Sequence, residues 1–579
     1  MLIIVAAVLA ITIPFAGQAF SIDGPLELDY ARMEVAHPLA QALPHYSYWG
    51  INYDQYFNTH PRLLSLFLSV VIRISGGVYE VPVHLSLIIF PLIGALGIYS
   101  LGRRFRVSGL TAALLFLVSP MLMVNTHMEM VDAPGTCLWI AAIAAFIWAV
   151  DKRSNWLLAL AALLMILTSQ TFFQGLAVLP LALAYLIINR QFRLLNFLPV
   201  IAAGTIFGCY LLVLYSAYGQ LPRFSYRQPF NFNNSASLLE KLRGNLTVLG
   251  GTLMFPLAAI AGFIYRWTGA LVFAAASMIT WSWSLVKYDL GQYSFSDMLL
   301  FSVLLPAGIT VTYLIAERLM VGIFYRPSRA SRAGKDAVFL GIWFFGVLAY
   351  AIILIPYPAP RYLLPALPPA VIALLVSWKR LRLRIWLKFA IAIAAIIFGL
   401  VFSSVISISM RDSADHARSV AKWVHEHYGD SGTVWYNGEF GFRYYMGQYG
   451  FRMTPNILNE RYAETANPPA SVKNPQPGDY DIYSLQGNAW VPYPAVMERL
   501  RPVQLVDYYN NDTLWSPCAG SDKCWGAATF LPYAIDTQGE RSDEVMVWRI
   551  AATPNPLDAS QLELYRQVGI KDPEALVDK

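Results

Sequence analysis

Charge is what this sequence has little of. Asp, Glu, Lys and Arg together make up 13% of its 579 residues against 56% hydrophobic residues, and the mean hydropathy of +0.47 exceeds what a soluble chain of this length reaches. Most of the chain is therefore solvated by lipid. Four cysteines, Cys137, Cys209, Cys518 and Cys524, are too few for a disulfide-dense scaffold, and the first two lie in apolar runs where a thiol packs as a small hydrophobe. No set of His, Asp and Glu has convincing ligand spacing, so no metal or other cofactor is expected, with a divalent cation the less favoured alternative. The net charge of +6 would suit nucleic acid in a soluble protein. Here Lys and Arg fall in short clusters between apolar runs, so nucleic acid is not an expected partner and the positive-inside bias accounts for the excess. The opening run 2–20 also lacks a basic n-region. Gly17 and Ala19 would suit a cleavage site, but the run is read as a retained first span.

Apolar runs of roughly 17 to 23 residues predict spans near 2–20, 81–101, 107–125, 133–150, 172–189, 194–216, 246–265, 269–286, 298–319, 338–356, 362–378 and 387–409. The shorter run 155–168 must also cross, because otherwise its basic flanks would fall on opposite faces. With the N-terminus inside, Arg103, Arg104 and Arg106, Lys152 and Arg153, Arg190 and Arg193, Arg266, the cluster 326–335 and the run 379–388 are all cytoplasmic. The expectation is about thirteen spans with the C-terminus outside. The segment 61–75 holds Arg62 and Arg73 and is read as a helix lying at the outer interface.

The expected domains are a transmembrane domain, 1–409, with a first outer loop at 21–80, and a soluble extracytoplasmic α/β domain, 410–579. After Ser409 the composition turns polar and aromatic; 411–428 reads as an amphipathic helix, and TVWYNG (433–438) and DYDIYS (479–484) read as strands. Cys518 and Cys524 lie close together in a compartment where a disulfide can persist, so a bridge is one reading and two separate thiols the other.

Charged groups at the outer ends of spans need a reason to be there, since an Asp at a helix centre costs about 2.5–3.5 kcal/mol on insertion scales. Three clusters qualify. In SIDGPLELDYARMEVAHP, Glu27, Asp29 and Glu34 suit a solvated amphipathic helix, while Asp23 stands at the membrane exit before a Gly-Pro turn. In NTHMEMVDAP (125–134), which offers His127, Glu129 and Asp132, Asp132 reads equally as a helix cap before Pro134 and as a functional acid. In PYPAPRYLLPALPP (356–369), Arg361 could snorkel to membrane-lipid phosphate or hold the phosphate of a lipid-linked substrate in its planar fork of donors.

At these residues the chain resembles the GT-C glycosyltransferases of the protein O-mannosyltransferase and aminoarabinose transferase type, which use polyprenyl-phosphate sugars. Five matches fall in order: Asp23-Gly-Pro-Leu, HPRL (60–63) in place of HPPL, VDAP (131–134), FQGLAVLPL (173–181) and PRYLLPALPP (360–369). GEFGFRYYMGQYG (438–450) looks like a motif in the outer domains of bacterial members. The resemblance implies a multi-pass protein of a bacterial inner membrane with its C-terminal domain outside the cytoplasm. It implies an inverting transferase that moves a sugar from a polyprenyl-phosphate donor to an extracytoplasmic protein, lipid or glycan. Asp23 would be the general base, and Asp132, with Glu129, would orient the acceptor or sugar. Arg361, aided by Arg62, would bind the donor phosphate. Glu27 and His60 are further substrate-site candidates, His60 more as a shaper of the interfacial helix than as a metal ligand. Two departures stand out: SQTFFQG lacks the Lys that many relatives place near Gln170, and Gly24 replaces a second acid.

Two other classes stay open. The altered motifs would suit a non-catalytic GT-C-like subunit acting as scaffold in a larger membrane complex. A transporter fits less well, because the acids sit at helix ends rather than near the midplane.

Overall fold

The computed structural model describes residues 1–37, 46–48, 51–53, 60–219, 238–252, 273–282, 295–325, 331–355, 358–379, 383–453, 478–484, 503–509 and 545–550. Cys518, Cys524, and much of the expected spans 246–265 and 269–286, lie outside the described residues.

Apolar runs become helices because a backbone in lipid must satisfy its own hydrogen bonds. In chain order these are α1 (Leu2–Thr12), α2 (Gly24–Ala36), α3 (Leu63–Ser75), α4 (Glu80–Leu87), α5 (Ile89–Arg104), α6 (Gly109–Leu117), α7 (Pro120–Asn125), α8 (Asp132–Lys152), α9 (Asn155–Thr171), α10 (Val178–Asn189), α11 (Leu198–Tyr218) and α12 (Leu238–Thr252). There follow α13 (Phe295–Phe324), α14 (Arg332–Ile353), α15 (Leu367–Lys379), α16 (Ile385–Tyr428) and α17 (Phe440–Gln448). Among the described residues, 7 helical stretches are long and apolar enough to cross a membrane, and Leu2–Phe15, Leu63–Ser75, Asn155–Thr171 and Phe173–Asn189 are shorter apolar helices. The run 107–125 is not one helix. It breaks between α6 and α7, where Ser119 is extended and Pro120 starts a new first turn.

The chain divides into two compact units, and the division differs from a single cut after residue 409. One unit holds α1, the helices from α3 through α16 as far as Ile408, and Asp522–Asp536; the other holds Gly17–Phe57, Ser409–Ser521 and Thr537–Lys579. The first loop up to Phe57 therefore folds with the C-terminal region rather than with the helical bundle.

In the helical unit α8 is the buried centre, with residues from Asp132 to Val150 enclosed along most of its length. Small residues on α5 let the two backbones approach, the usual device where no hydrophobic force separates helix from lipid. A Cβ at Gly94 would lie 2.6 Å from the Cys137 sulfur, and one at Gly97 would lie 3.0 Å from Ile140. Similarly α12 and α13 cross backbone to backbone, since a Cβ at Gly250 would collide with the Leu304 carbonyl and one at Gly308 with that of Leu246. Where α5 and α8 end, Arg104 Nε donates to Asp151 at 2.6 Å, its Nη1 to Asp336 at 3.0 Å and its Nη2 to the Tyr185 hydroxyl at 3.0 Å. Tyr185 donates to Asp151 at 2.5 Å and Arg332 to Asp151 at 2.8 Å. This cluster ties α5, α8, α10 and α14 together through a guanidinium whose buried charge needs such partners.

The second unit carries an antiparallel pair, β1 (Tyr46–Tyr48) and β2 (Ile51–Tyr53), and a sheet of β3 (Val434–Asn437), β4 (Arg452–Met453), β5 (Tyr480–Ser484), β6 (Val503–Tyr509) and β7 (Val545–Ile550) in the order β4-β3-β5-β7-β6. β3 is parallel to β4 and β5, while β7 is antiparallel to β5 and β6. Parallel neighbours need a crossover, and α17 supplies the one from β3 to β4. Trp435, Tyr436, Tyr444 and Tyr445 are buried here, and the Trp435 indole donates to Asp479 at 2.8 Å.

Candidate active site

In the helical unit, four of the sequence motifs converge. HPRL precedes α3, with Arg62 at the N-cap position and buried at 4% exposure. The His60 ring lies 6.3 Å from that of Phe173 at the start of FQGL. That motif follows α9, where Phe172 is extended and residues Phe173–Ala177 form a 3₁₀ turn. Its Gln174 amide donates to the Tyr362 carbonyl at 3.0 Å, so FQGL is fastened to PRYLLP. Gly135, next to VDAP, has room for no Cβ because the Phe172 ring occupies that space.

Pro360–Ala366 is itself a 3₁₀ segment, entered from an extended Ala359 with Pro360 in its first turn, and Pro365 withholds the N–H that an α-helix would bond to residue 361. Arg361 is half-buried; its Nη2 donates to the Tyr362 hydroxyl at 3.3 Å, and its guanidinium carbon sits 5.1 Å from the Tyr362 ring centroid. The contact is of the cation–π kind and orients the guanidinium. Asp132 is buried in the first turn of α8, with Val131 as the cap residue and no side-chain cap bond.

Glu129 is fully enclosed and ion-paired with His84 on α4. The other nitrogen of His84, Nδ1, donates to the Ala16 carbonyl at 3.1 Å. His127 donates to the Ile11 carbonyl at 2.7 Å and stacks on Phe15 at 4.1 Å, and burial holds its ring down to about 3, so it is neutral at physiological pH. Two histidines thus pin the C-terminal end of α1. Neither His84 nor Gln174 was picked out in the sequence, and only the pairing of one basic with one acidic group in apolar surroundings could have flagged His84.

The second unit holds Asp23 and Glu27. Asp23 is the residue before α2, Pro25 stands in the first turn, and the Asp23 carboxylate does not cap the helix N–H groups. Glu27 and Glu34 are buried on α2. Asp29 lies 3.6 Å from Arg32 and 3.9 Å from Arg443 of α17, which also pairs with Glu439 at 3.3 Å. Arg32 donates to the Tyr444 hydroxyl at 3.0 Å. Burial pushes the Tyr436 phenol up, so it stays protonated. Among the described residues no group of three His, Cys, Asp or Glu could hold a metal ion.

The sequence model of the family described as "Dolichyl-phosphate-mannose-protein mannosyltransferase" matches residues 59–215, the stretch carrying HPRL, VDAP and FQGL. No curated protein matches the chain. Among solved structures, the chain is similar to ArnT from Cupriavidus metallidurans bound to undecaprenyl phosphate, with 16% identity, a TM-score of 0.46, and 96% of this chain and 99% of that chain covered. It is similar to the oligosaccharyltransferase from Archaeoglobus fulgidus in complex with Zn and sulfate, with 14% identity, a TM-score of 0.50, and 84% of this chain and 68% of that chain covered. It is also similar to the arabinofuranosyltransferase AftD from Mycobacteria, with 14% identity, a TM-score of 0.39, and 96% of this chain and 40% of that chain covered. At these identities the structural likeness is one of fold. The resemblance read in the sequence holds: residues 59–215 match the mannosyltransferase family, and the chain shares its fold with GT-C glycosyltransferases.

Proposed function

We propose that this chain is an inverting glycosyltransferase that moves a sugar from a polyprenyl-phosphate donor to an acceptor outside the cytoplasm, in a bacterial inner membrane. The observation that carries the reading is the convergence of HPRL, VDAP, FQGL and PRYLLP in one unit, with Phe172 against Gly135 just after VDAP, Phe173 beside His60 and Gln174 bonded to Tyr362. A donor of this class is supported by the matched family's description, which itself names a dolichyl-phosphate sugar.

In this reading Arg361, with Arg62, binds the donor phosphate and stabilises the charge that grows on it as the glycosidic bond breaks. Asp132 orients the sugar or acceptor. Asp23 takes the acceptor proton, a role consistent with a carboxylate held at a helix start without being used as its cap. The C-terminal domain lies outside the cytoplasm.

The test is to incubate purified protein with a panel of dolichyl- and undecaprenyl-phosphate sugars plus native membrane extract as acceptor source, and to follow release of polyprenyl phosphate. Turnover of at least one donor is expected. Absence of both turnover and donor binding would leave a scaffold subunit as the better description.

A further inference from the structure

The motif GEFGFRYYMGQYG has no role in the transfer chemistry above, yet α17, which it forms, meets the chain on both sides of Asp23. On the N-terminal side, the Phe20 N–H donates to the Tyr445 hydroxyl at 2.9 Å, and the Phe20 ring packs edge-on against Tyr444 with centroids 5.2 Å apart. The Phe20 carbonyl lies so close to Gly441 that any Cβ there would collide with it. One residue earlier, the Ala19 N–H donates to Asp415 of α16 at 2.8 Å, and Asp415 is held in turn by Arg418 at 2.9 Å. On the C-terminal side, Arg32 donates to the Tyr444 hydroxyl, and Asp29 faces Arg443.

Between these anchors the backbone is in an unfavourable conformation. Ile22, immediately before Asp23, has φ +50°, a left-handed conformation that a β-branched residue avoids. Phe440, which opens α17, has φ +61°. Such residues persist only where the surroundings over-determine them. The bonds to Ala19 and Phe20 end two residues before Ile22, and Pro25 fixes the chain two residues after Asp23.

We propose that Tyr445, Gly441 and Asp415 are positioning residues for Asp23: they hold the strained turn at Ile22 so that the carboxylate stands in its working orientation. The inference rests on Asp23 being the general base. It gives the C-terminal region a part in the reaction, since the base is set by a helix that lies more than four hundred residues further along the chain (|i−j| = 425 between Phe20 and Tyr445).

The test uses the full-length protein and the same panel of dolichyl- and undecaprenyl-phosphate sugars. Tyr445→Phe removes one hydroxyl, and Gly441→Ala pushes on the Phe20 carbonyl. Both should lower kcat on the order of 10- to 100-fold, the usual effect of displacing a reacting group by an ångström or less. The KM for the donor should stay unchanged, and kcat is compared well below the melting temperature, because Tyr445→Phe takes an acceptor from the buried Phe20 N–H and should lower that temperature somewhat. In an Asp23→Asn background the Tyr445→Phe change should have no further effect, because it acts only through that carboxylate. Unchanged kcat in both variants overturns the proposal, as does an equal loss with and without Asp23. If Asp23→Asn itself turns over like wild type, the base assignment falls first, and the positioning proposal falls with it.

Discussion

The Gln174 side chain donates to the Tyr362 carbonyl across 188 residues of sequence, at 3.0 Å. One amide thereby fixes the peptide that follows Tyr362, next to Arg361. Gln174→Leu keeps the volume and deletes the donor. It should take a partner from the part-buried carbonyl, costing about 1 kcal/mol, and should weaken donor binding by loosening the Arg361 segment. A melting curve and a donor titration measure the two effects, and intact donor affinity would separate Gln174 from the phosphate site.

Arg361 makes the sharper test of that site. Arg361→Ala should strongly weaken donor use. Arg361→Lys should restore it only in part, because an ammonium keeps the charge but not the two-pronged contact. Normal turnover by both variants would move the phosphate site to Arg62.

Arg104 is predicted to matter for stability rather than for chemistry. Its side chain is 2% exposed and meets Asp151 and Asp336. Arg104→Met takes the guanidinium from Asp336, while Asp151 keeps Tyr185 and Arg332, and should cost about 3–5 kcal/mol, whereas Arg104→Met with Asp336→Asn should recover part of the loss. Thermal unfolding in detergent checks both. Equal melting of Arg104→Met and wild type would mean that the cluster contributes nothing.

How much of this was legible depends on the range of the interaction. Asp23, HPRL, VDAP, FQGL and PRYLLP stand out locally because acids, cations and prolines are costly at span ends and so draw notice. Their convergence could be expected from the family resemblance. The Arg104 cluster was not legible: Arg103 and Arg104 carry the positive-inside signal whether or not one of them turns inward to Asp151 and Asp336. Likewise α2 reads as a solvated helix because its acids alternate with apolar residues, yet Glu27 and Glu34 are buried against surroundings the sequence does not specify. The Gly441 contact with Phe20 is invisible for the same reason, since a glycine in GEFGF signals only freedom of the backbone.

Sidedness can be tested at positions the structure shows to be exposed. In a cysteine-less background, Arg153→Cys and Arg190→Cys should be shielded from a membrane-impermeant thiol reagent in intact cells, and Tyr79→Cys should react. All three native residues are exposed. Position 104 is unsuitable because Arg104 is buried in its ionic cluster. Labelling of 153 from outside would invert the proposed orientation.

Asp23 separates an enzyme from a scaffold. Asp23→Asn preserves shape, and because the native carboxylate does not cap α2, the helix start loses nothing it was using. Melting of the variant and wild type is compared first, to confirm that the variant folds. A carboxamide cannot accept the acceptor's proton, so if Asp23 is the base, the rate of polyprenyl-phosphate release should fall about 10²- to 10⁴-fold. Donor binding, assigned to Arg361 and Arg62, should persist. That combination of unchanged folding, unchanged donor affinity and lost turnover is what a base predicts and a structural acid does not. Asp23→Glu adds a control: it retains proton acceptance on a longer arm and should recover part of the rate. Wild-type turnover that survives Asp23→Asn would remove Asp23 from the mechanism and leave Asp132 as the carboxylate to test next.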